Sequence, residues 1–380
     1  MIYLDNSAST FQKPKEVIKA VAEAMNKYTA NPGRSGHKAS LSTAMQTQNV
    51  RSKLKDMFNA DSEQNIIFTQ NCSEALNLAI LGSVKKGGHV ICSENEHNSV
   101  LRPLQHLKDK CEIEYSIAKQ NELGKLTLED IKKHIKPNTY LVICNHISNV
   151  NGDKAEIEKI GKFCHENGLL FLVDGAQSGG HEIIDMKKYH IDFLTLAGHK
   201  GFYAMQGIGV LIAQNLEVLN PIKFGGTGTN SLELSQPLNS PERFEVGTLP
   251  SQNIISLGAG IDFVNYNYHT IREKLDDLTT FLNYSLSSLP VKIYTIPFNS
   301  NGVLAFNIAD IHSNEFSSHL DEKWNICVRG GYHCAPKKHE ALGTLEQGAV
   351  RVSMSFFNSI YDIQHLVNAT KSYLRKNKIY

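Results

Sequence analysis

The sequence predicts an α/β protein with a mainly parallel central sheet, helices on both faces and a smaller α/β C-terminal lobe. Three observations predict it. Short apolar runs of strand length recur through the first two thirds of the chain, amphipathic helical stretches lie between them, and after about residue 255 one long helical pattern replaces the alternation. Strands alternating with helices place the crossovers on the sheet faces. Strands covered on both faces read as unbroken apolar runs, because neither side of the pleat meets water.

The runs cover residues 89–92, 140–144, 169–173, 193–196 and 209–212, each β-branched or apolar and of strand length. Between them, residues 74–81, 128–134 and 157–166 repeat apolar side chains three or four apart, the spacing of one helix face. Further on, a long amphipathic helix is expected over roughly 256–288 with interruptions, then strands near 303–308 and 349–355. A chain of 380 residues exceeds the ~100–200 of one domain. The expected division is therefore a large domain, 13–255, and a small one made of 1–12 with 256–380. No internal repeat, low-complexity tract or Pro/Ser-rich linker separates them.

Composition narrows the class of partner. Hydrophobic residues at 41% and charged residues at 20% describe an ordinary globular protein, and a net charge of +1 offers nothing to attract nucleic acid or an anionic membrane. Small molecules are the expected ligands. The N-terminus lacks a basic-then-apolar signal, and no apolar run reaches the ~18–20 residues of a membrane span, so the expected location is cytoplasmic. Seven cysteines without CxxC spacing suggest neither a disulfide framework nor a zinc site, and no metal is expected.

Open α/β sheets bind ligands beyond the carboxyl ends of their strands. The residues found there are Glu96-His97-Asn98, Asn145-His146-Ile147-Ser148-Asn149, Asp174-Gly175-Ala176-Gln177 and Gly198-His199-Lys200. Asp174 either pairs with a buried cation such as a pyridinium or caps a following helix. Lys200 is a cofactor amine or a solvated loop lysine. Gly201 and the Gly207-Ile208-Gly209 turn fit the close backbone passage a cofactor needs. Residues 70–74 read as a turn opening a helix, where free N–H groups favour an anion, with Ser73 as phosphate ligand or plain cap.

Three more residues stand out. Arg351 lies in an apolar run, where an unpaired guanidinium is costly, so it demands either a ligand carboxylate or a structural one. Cys334, in a Gly-rich loop with Arg329 and His333 just before it, is either an activated thiol with a lowered pKa or an inert one. His146 fits a core position as well as a catalytic one.

Asp174-Gly175-Ala176-Gln177 followed by Ala197-Gly198-His199-Lys200 resembles the pyridoxal-phosphate (PLP) signature of class V aminotransferases. Four segments are similar to the cysteine desulfurase and selenocysteine lyase group within it: Tyr3 to Thr10, Asn31 to His37, Glu96 to Val100, and Arg329 to Pro336. The likeness runs from Ile2 to about Asn358 with the motifs in family order.

The resemblance implies the type I PLP-dependent transferase fold and a catalytic set of Lys200, Cys334 and His97. Lys200 would carry PLP as a Schiff base, His97 would stack on its ring, and Asp174 would face the pyridinium nitrogen. Asn149 and Gln177 would lie near the phenolic oxygen, and Cys72, Ser73 and His199 near the phosphate. Thr248, in Glu245-Val246-Gly247-Thr248, would reach the phosphate of a partner subunit, which implies a homodimer. Arg351 would hold the substrate carboxylate, with Ala8 and Asn149 beside the substrate.

The implied reaction converts L-cysteine to L-alanine and leaves a persulfide on Cys334 for a sulfur-acceptor protein or small thiol, as in iron–sulfur cluster assembly. Selenocysteine as substrate, C–S β-elimination on the same fold and a non-catalytic sulfur-relay scaffold are the alternatives. A nicotinamide-binding fold lacks its GxGxxG after the first strand. The chain departs from the family at Ala197, where a hydroxyl residue is usual, at Met205-Gln206-Gly207, and at Gly330, where Thr is frequent.

Overall fold

A computed structural model describes residues 1–32, 35–121, 125–296 and 301–379, so Gly33 and Arg34 of the 31–37 motif lie outside the described residues. The chain opens with β1 (Ile2–Tyr3), α1 (Lys15–Lys27) and α2 (Lys38–Phe58). Next come β2 (Ile66–Thr69), α3 (Cys72–Gly82), β3 (Gly88–Ser93), α4 (Asn98–Asp109), β4 (Ile113–Ala118) and α5 (Leu128–Lys132). The central part closes with β5 (Thr139–Asn145), α6 (Ile157–Glu166), β6 (Leu170–Asp174), β7 (Phe193–Ala197) and β8 (Gly209–Ala213). The remainder is α7 (Ser251–Ser287), β9 (Val291–Ile293), β10 (Val303–Ile308), α8 (Ser313–Trp324), β11 (Ile326–Cys327), α9 (Pro336–Leu342), β12 (Val350–Ser353) and α10 (Ile360–Lys376).

Seven strands form the main sheet in the order β2-β8-β7-β6-β5-β3-β4. The pairings among β3 to β7 are parallel, and β8 alone runs against both its neighbours, β2 and β7. Its five predicted runs are all strands. Their side chains alternate between two cores: Val142, Val173, Leu194 and Val210 enter one, while Leu141, Leu172, Phe193 and Leu211 enter the other. Both faces are covered, which is why these strands carry no polar alternation. Edge strand β4 escaped the apolar-run criterion because it carries exposed Glu114 between buried Ile113 and half-buried Tyr115.

After the sheet, α7 runs 37 residues without a break, from Ser251 and not from 256, correcting the interrupted helix expected from the sequence. A Cβ on Gly260 would stand 1.9 Å from the Phe202 carbonyl oxygen, so glycine there lets the helix lie against neighbouring backbone. Beyond α7, β12, β10 and β9 form an antiparallel sheet, and β1 pairs with β11 in a parallel one. The N-terminal segment is tied to β12 by a bridge between Asp5 and Ser353. No helix of the described residues is long and apolar enough to cross a membrane.

Candidate active site

Three parallel strands end side by side: Asn145 of β5 pairs with Asp174 of β6, and Asp174 with Thr195 of β7. Asp174 is 2% exposed. Its Oδ1 accepts from the Ala176 N–H at 2.9 Å and from the Cys72 thiol at 3.8 Å, and its Oδ2 accepts from Asn145 Nδ2 at 3.3 Å. Turns and not a helix follow it, so the capping alternative is not realised. Burial first, then the Asp174 charge, pushes the Cys72 thiol up, which keeps it a donor.

Asp174 and Lys200 line one cavity together with Cys72, Ser73, His97, Asn149, Gln177 and His199. The cavity holds ≈ 470 Å³ of atom-free space, part of it open to solvent. The Lys200 amine makes no hydrogen bond or ion pair with another described residue. Burial above all, with the charges of Arg351 and Arg329, lowers its pKa, while Cys72 and Asp174 act the other way. Eight of the predicted residues therefore converge.

Local sequence explains the rest of the wall. Asn71, not Ser73, caps α3, its side chain accepting from the Glu74 N–H at 2.9 Å. Ser73 Oγ is instead 2.6 Å from Ser99 Oγ. His97 caps α4: its Nδ1 accepts from the Ser99 N–H at 3.0 Å and lies 2.8 Å from Ser99 Oγ. Burial, ahead of neighbouring charges, lowers the His97 pKa to about 4, so the ring is neutral at pH 7 and carries its proton on Nε2. Burial likewise lowers His199 to about 4.

Several polar atoms at the cavity are left without partners: Asn149 Oδ1, Asn145 Oδ1 and His199 Nδ1 are buried and unbonded. Each such atom costs about 1–3 kcal/mol unless something supplies its bond. Asn149 Nδ2 is engaged by the His333 carbonyl at 2.7 Å, and Gln177 Nε2 by the Ser7 carbonyl at 3.0 Å.

Arg351, whose charge acts on Lys200, is 1% exposed and already has a partner. Its Nη2 pairs with Asp5 Oδ1 at 2.5 Å and its Nη1 donates to the Asn149 carbonyl at 2.9 Å, while its Nε is unbonded. The structural carboxylate left open by the sequence is thus Asp5. Arg329 has no side-chain partner among the described residues, yet its charge acts on His97, Lys200, His333 and Arg351.

Cys334 is half-buried, and both it and His333 adopt left-handed backbone, φ +57° and +49°. Such positions cost of order 1–3 kcal/mol each outside glycine and persist only where surroundings hold them. The Asn98 N–H donates to the Cys334 carbonyl at 2.7 Å, which ties the loop to the residue after His97. His333 does not supply the flanking cation expected from the sequence. It is buried, with its pKa pushed down to about 2 by burial and then by Arg351.

Other expected residues lie apart. Ala8 sits in the turn after Asp5, its N–H on the Asp5 carbonyl, and is not part of the cavity wall. Thr248 is exposed and meets Asn31 Nδ2 at 3.5 Å. His146 lines a different cavity, with Lys154 and Tyr189, and is a core histidine. Gly201 and Gly209 fit tight passages of backbone past backbone. Their added Cβ atoms would meet the Gly179 oxygen at 2.1 Å and the Asn71 carbonyl carbon at 2.2 Å. At Gly330 a Cβ would come within 2.6 Å of the Ser313 oxygen, which accounts for the absence of Thr. Among the described residues no group of three or more His, Cys, Asp or Glu could hold a metal.

Asp5, Ser99 and Asn71 were not singled out in the sequence, and Glu96 stood among the strand-end residues without a role of its own. Glu96 is fully buried, bonded to Ser93 Oγ at 2.5 Å and the Asn145 N–H at 2.6 Å, and burial raises its pKa to about 8. Asp5 had a signal, its place in the Tyr3–Thr10 motif, but its partner is 346 residues away.

The buried histidines predict acid lability. Burial lowers His146, His333 and His339 to about 3, about 2 and about 4. Unfolded, each titrates near 6.5, so their contribution is complete above that pH and is lost as pH falls through it, because the unfolded chain then binds more protons. Glu96 acts oppositely, holding in the fold a proton that the unfolded chain releases above about 4.5. Burial lowers His97 and His199 in the same way, so the histidines outweigh Glu96 and the protein should lose stability between pH 7 and 5. A thermal midpoint that stays level across that interval contradicts this.

The sequence profile of the family described as Aminotransferase class-V matches residues 2–366. A probable cysteine desulfurase of Methanothermobacter thermautotrophicus is 35% identical over 376 residues, covering 96% of this chain and 92% of that protein. A cysteine desulfurase of Shigella sonnei is 31% identical, covering 97% and 92%. Among solved structures, the apo cysteine desulfurase of Thermococcus onnurineus superposes with a TM-score of 0.92 at 33% identity, over 99% of this chain and 95% of that one.

Proposed function

The chain belongs to the class V aminotransferase family, and on that footing we propose that it is a PLP-dependent cysteine desulfurase converting L-cysteine to L-alanine. The observation that carries this reading is the unpartnered Lys200 amine sharing a cavity with buried Asp174 at the ends of three parallel strands. The residues present fit PLP. Asp174 supplies the carboxylate for a protonated ring nitrogen, Asn149 Oδ1 and His199 Nδ1 are buried atoms wanting partners, and the N-terminus of α3 offers N–H groups to a phosphate. When bound, PLP supplies an electron sink for charge developing at an amino acid Cα.

In this reading Lys200 would hold the cofactor, Asp174 would keep its ring nitrogen protonated, and neutral His97 would stack on the ring. Gln177 and Asn149 would lie near the phenolic oxygen, and Cys72 and Ser73, which begin α3, would lie near the phosphate. The Lys200 amine, its basicity reduced by burial, moves the Cα proton. Arg351, oriented by Asp5, receives the substrate carboxylate. Cys334 Sγ, as thiolate, attacks the substrate sulfur, and the electrons of the breaking C–S bond remain with the carbon skeleton that leaves as alanine. A persulfide is left on Cys334, for transfer to an acceptor protein or small thiol.

The same reading assigns the large domain to 13–255 and the small one to 1–12 with 256–380, in a cytoplasmic homodimer whose exposed Thr248 reaches the partner's cofactor phosphate. Incubation with L-cysteine tests it: alanine should appear, and Cys334 should gain one sulfur by mass spectrometry. Pyruvate and free sulfide without that adduct would support β-elimination instead.

A further inference from the structure

Beneath the Cys334 loop, three buried side chains form a hydrogen-bonded chain whose direction can be worked out atom by atom. His333 Nε2 lies 3.2 Å from the Arg329 carbonyl oxygen, an acceptor only, so Nε2 carries the proton. In a neutral ring Nδ1 must then accept, and it lies 3.3 Å from His339 Nε2, which donates. His339 Nδ1 accepts in turn from Thr344 Oγ1 at 2.7 Å. The two imidazoles are parallel to within 18°, with centroids 5.5 Å apart, and Tyr332 meets His339 edge-on at 5.5 Å. His333, His339 and Thr344 are at most 2% exposed.

This chain ends at a carbonyl, so it delivers no proton to Cys334. What it does is hold. His333 and Cys334 are consecutive left-handed residues, a strained conformation that needs bonds on every side. The Asn149 amide takes the His333 carbonyl and the Asn98 N–H takes the Cys334 carbonyl, and the His333 ring is the remaining handle. That ring is gripped by His339, a residue of α9, which begins two residues after the cysteine.

We propose that His339 is a positioning residue for the sulfur-accepting cysteine, fixing the Cys334 loop through its hydrogen bond to His333 and its own anchor on Thr344. This rests on the assignment of Cys334 as sulfur acceptor. The His333 ring must be neutral for the chain to exist, since its Nδ1 accepts. The charged groups facing the two rings agree: Arg351 and Arg329 act on His333, and Lys338 acts on His339, all cations that with burial disfavour protonation.

The experiment uses holoenzyme carrying His339→Leu, His339→Gln or Thr344→Val. In His339→Leu, kcat for L-cysteine should fall about tenfold or more, since small misplacements of a reacting group cost that much. KM and the cofactor absorbance should stay at wild-type values, and amide exchange in the 329–336 peptide should quicken. His339→Gln keeps an N–H directed at His333 and should recover most of kcat. An unchanged kcat in His339→Leu overturns the proposal. Should that variant lose cofactor or fold, Thr344→Val decides: a lowered kcat with intact absorbance supports positioning, and a normal kcat refutes it. Should wild-type enzyme make no alanine, the desulfurase reading fails separately, while unchanged amide exchange in the variants would still overturn the loop claim.

Discussion

Replacing Lys200 by Ala should give a protein that folds, binds PLP without a covalent link and loses desulfurase activity by about four orders of magnitude or more, the upper range for removing a group that both binds and moves a proton. Lys200 is the amine of the cavity with no competing partner among the described residues, and burial holds its pKa below the ordinary lysine value. An amine whose basicity burial reduces is better fitted to bond an aldehyde and then to pass a proton on. The checks are the loss of the absorbance of lysine-bound cofactor and the rate of alanine formation. A Lys200→Ala enzyme with ordinary turnover would remove the basis of the account.

The second large effect is expected at Cys334. Its replacement by Ala should lower sulfur release from L-cysteine by at least about a hundredfold, since nucleophilic and acid–base groups each contribute on that scale. The lysine-bound cofactor band should remain, because Cys334 does not line the cavity that holds Asp174 and Lys200. Mass spectrometry after incubation with cysteine should find a persulfide in wild type and none in the variant. A persulfide on Cys111, the exposed cysteine, with full alanine production in Cys334→Ala would relocate the acceptor.

The two effects also separate what the sequence reveals from what it conceals. Strand ends are legible: Asn149, Asp174 and Lys200 each follow an apolar run, and sheets of parallel strands collect such residues at one edge. The run signal fails where its physical cause fails, at β4, whose edge position leaves Glu114 exposed. Glycines are legible only in part. Gly201 and Gly209 read as room for a cofactor, while the close backbone of Gly179 and Asn71 beside them has no sign in the sequence.

Partnerships are the least legible. The Arg351 guanidinium visibly required a carboxylate, but nothing in a strand pattern says that Asp5, across the length of the chain, provides it. Ser73 read as a phosphate ligand or a cap because it opens a helix. Its neighbour Asn71 takes that role, which leaves Ser73 for Ser99 and through it for His97. His333 beside Cys334 invited the inference of a thiolate-stabilising cation, and only burial with two facing arginines shows it to be neutral.

The most direct measurement is borohydride reduction of the purified protein in the presence of PLP, followed by peptide mapping. The account predicts a pyridoxyl adduct on Lys200 alone, abolished in Lys200→Ala and accompanied by loss of the visible absorbance. An unmodified Lys200, or an adduct on another lysine at equal occupancy, would contradict it.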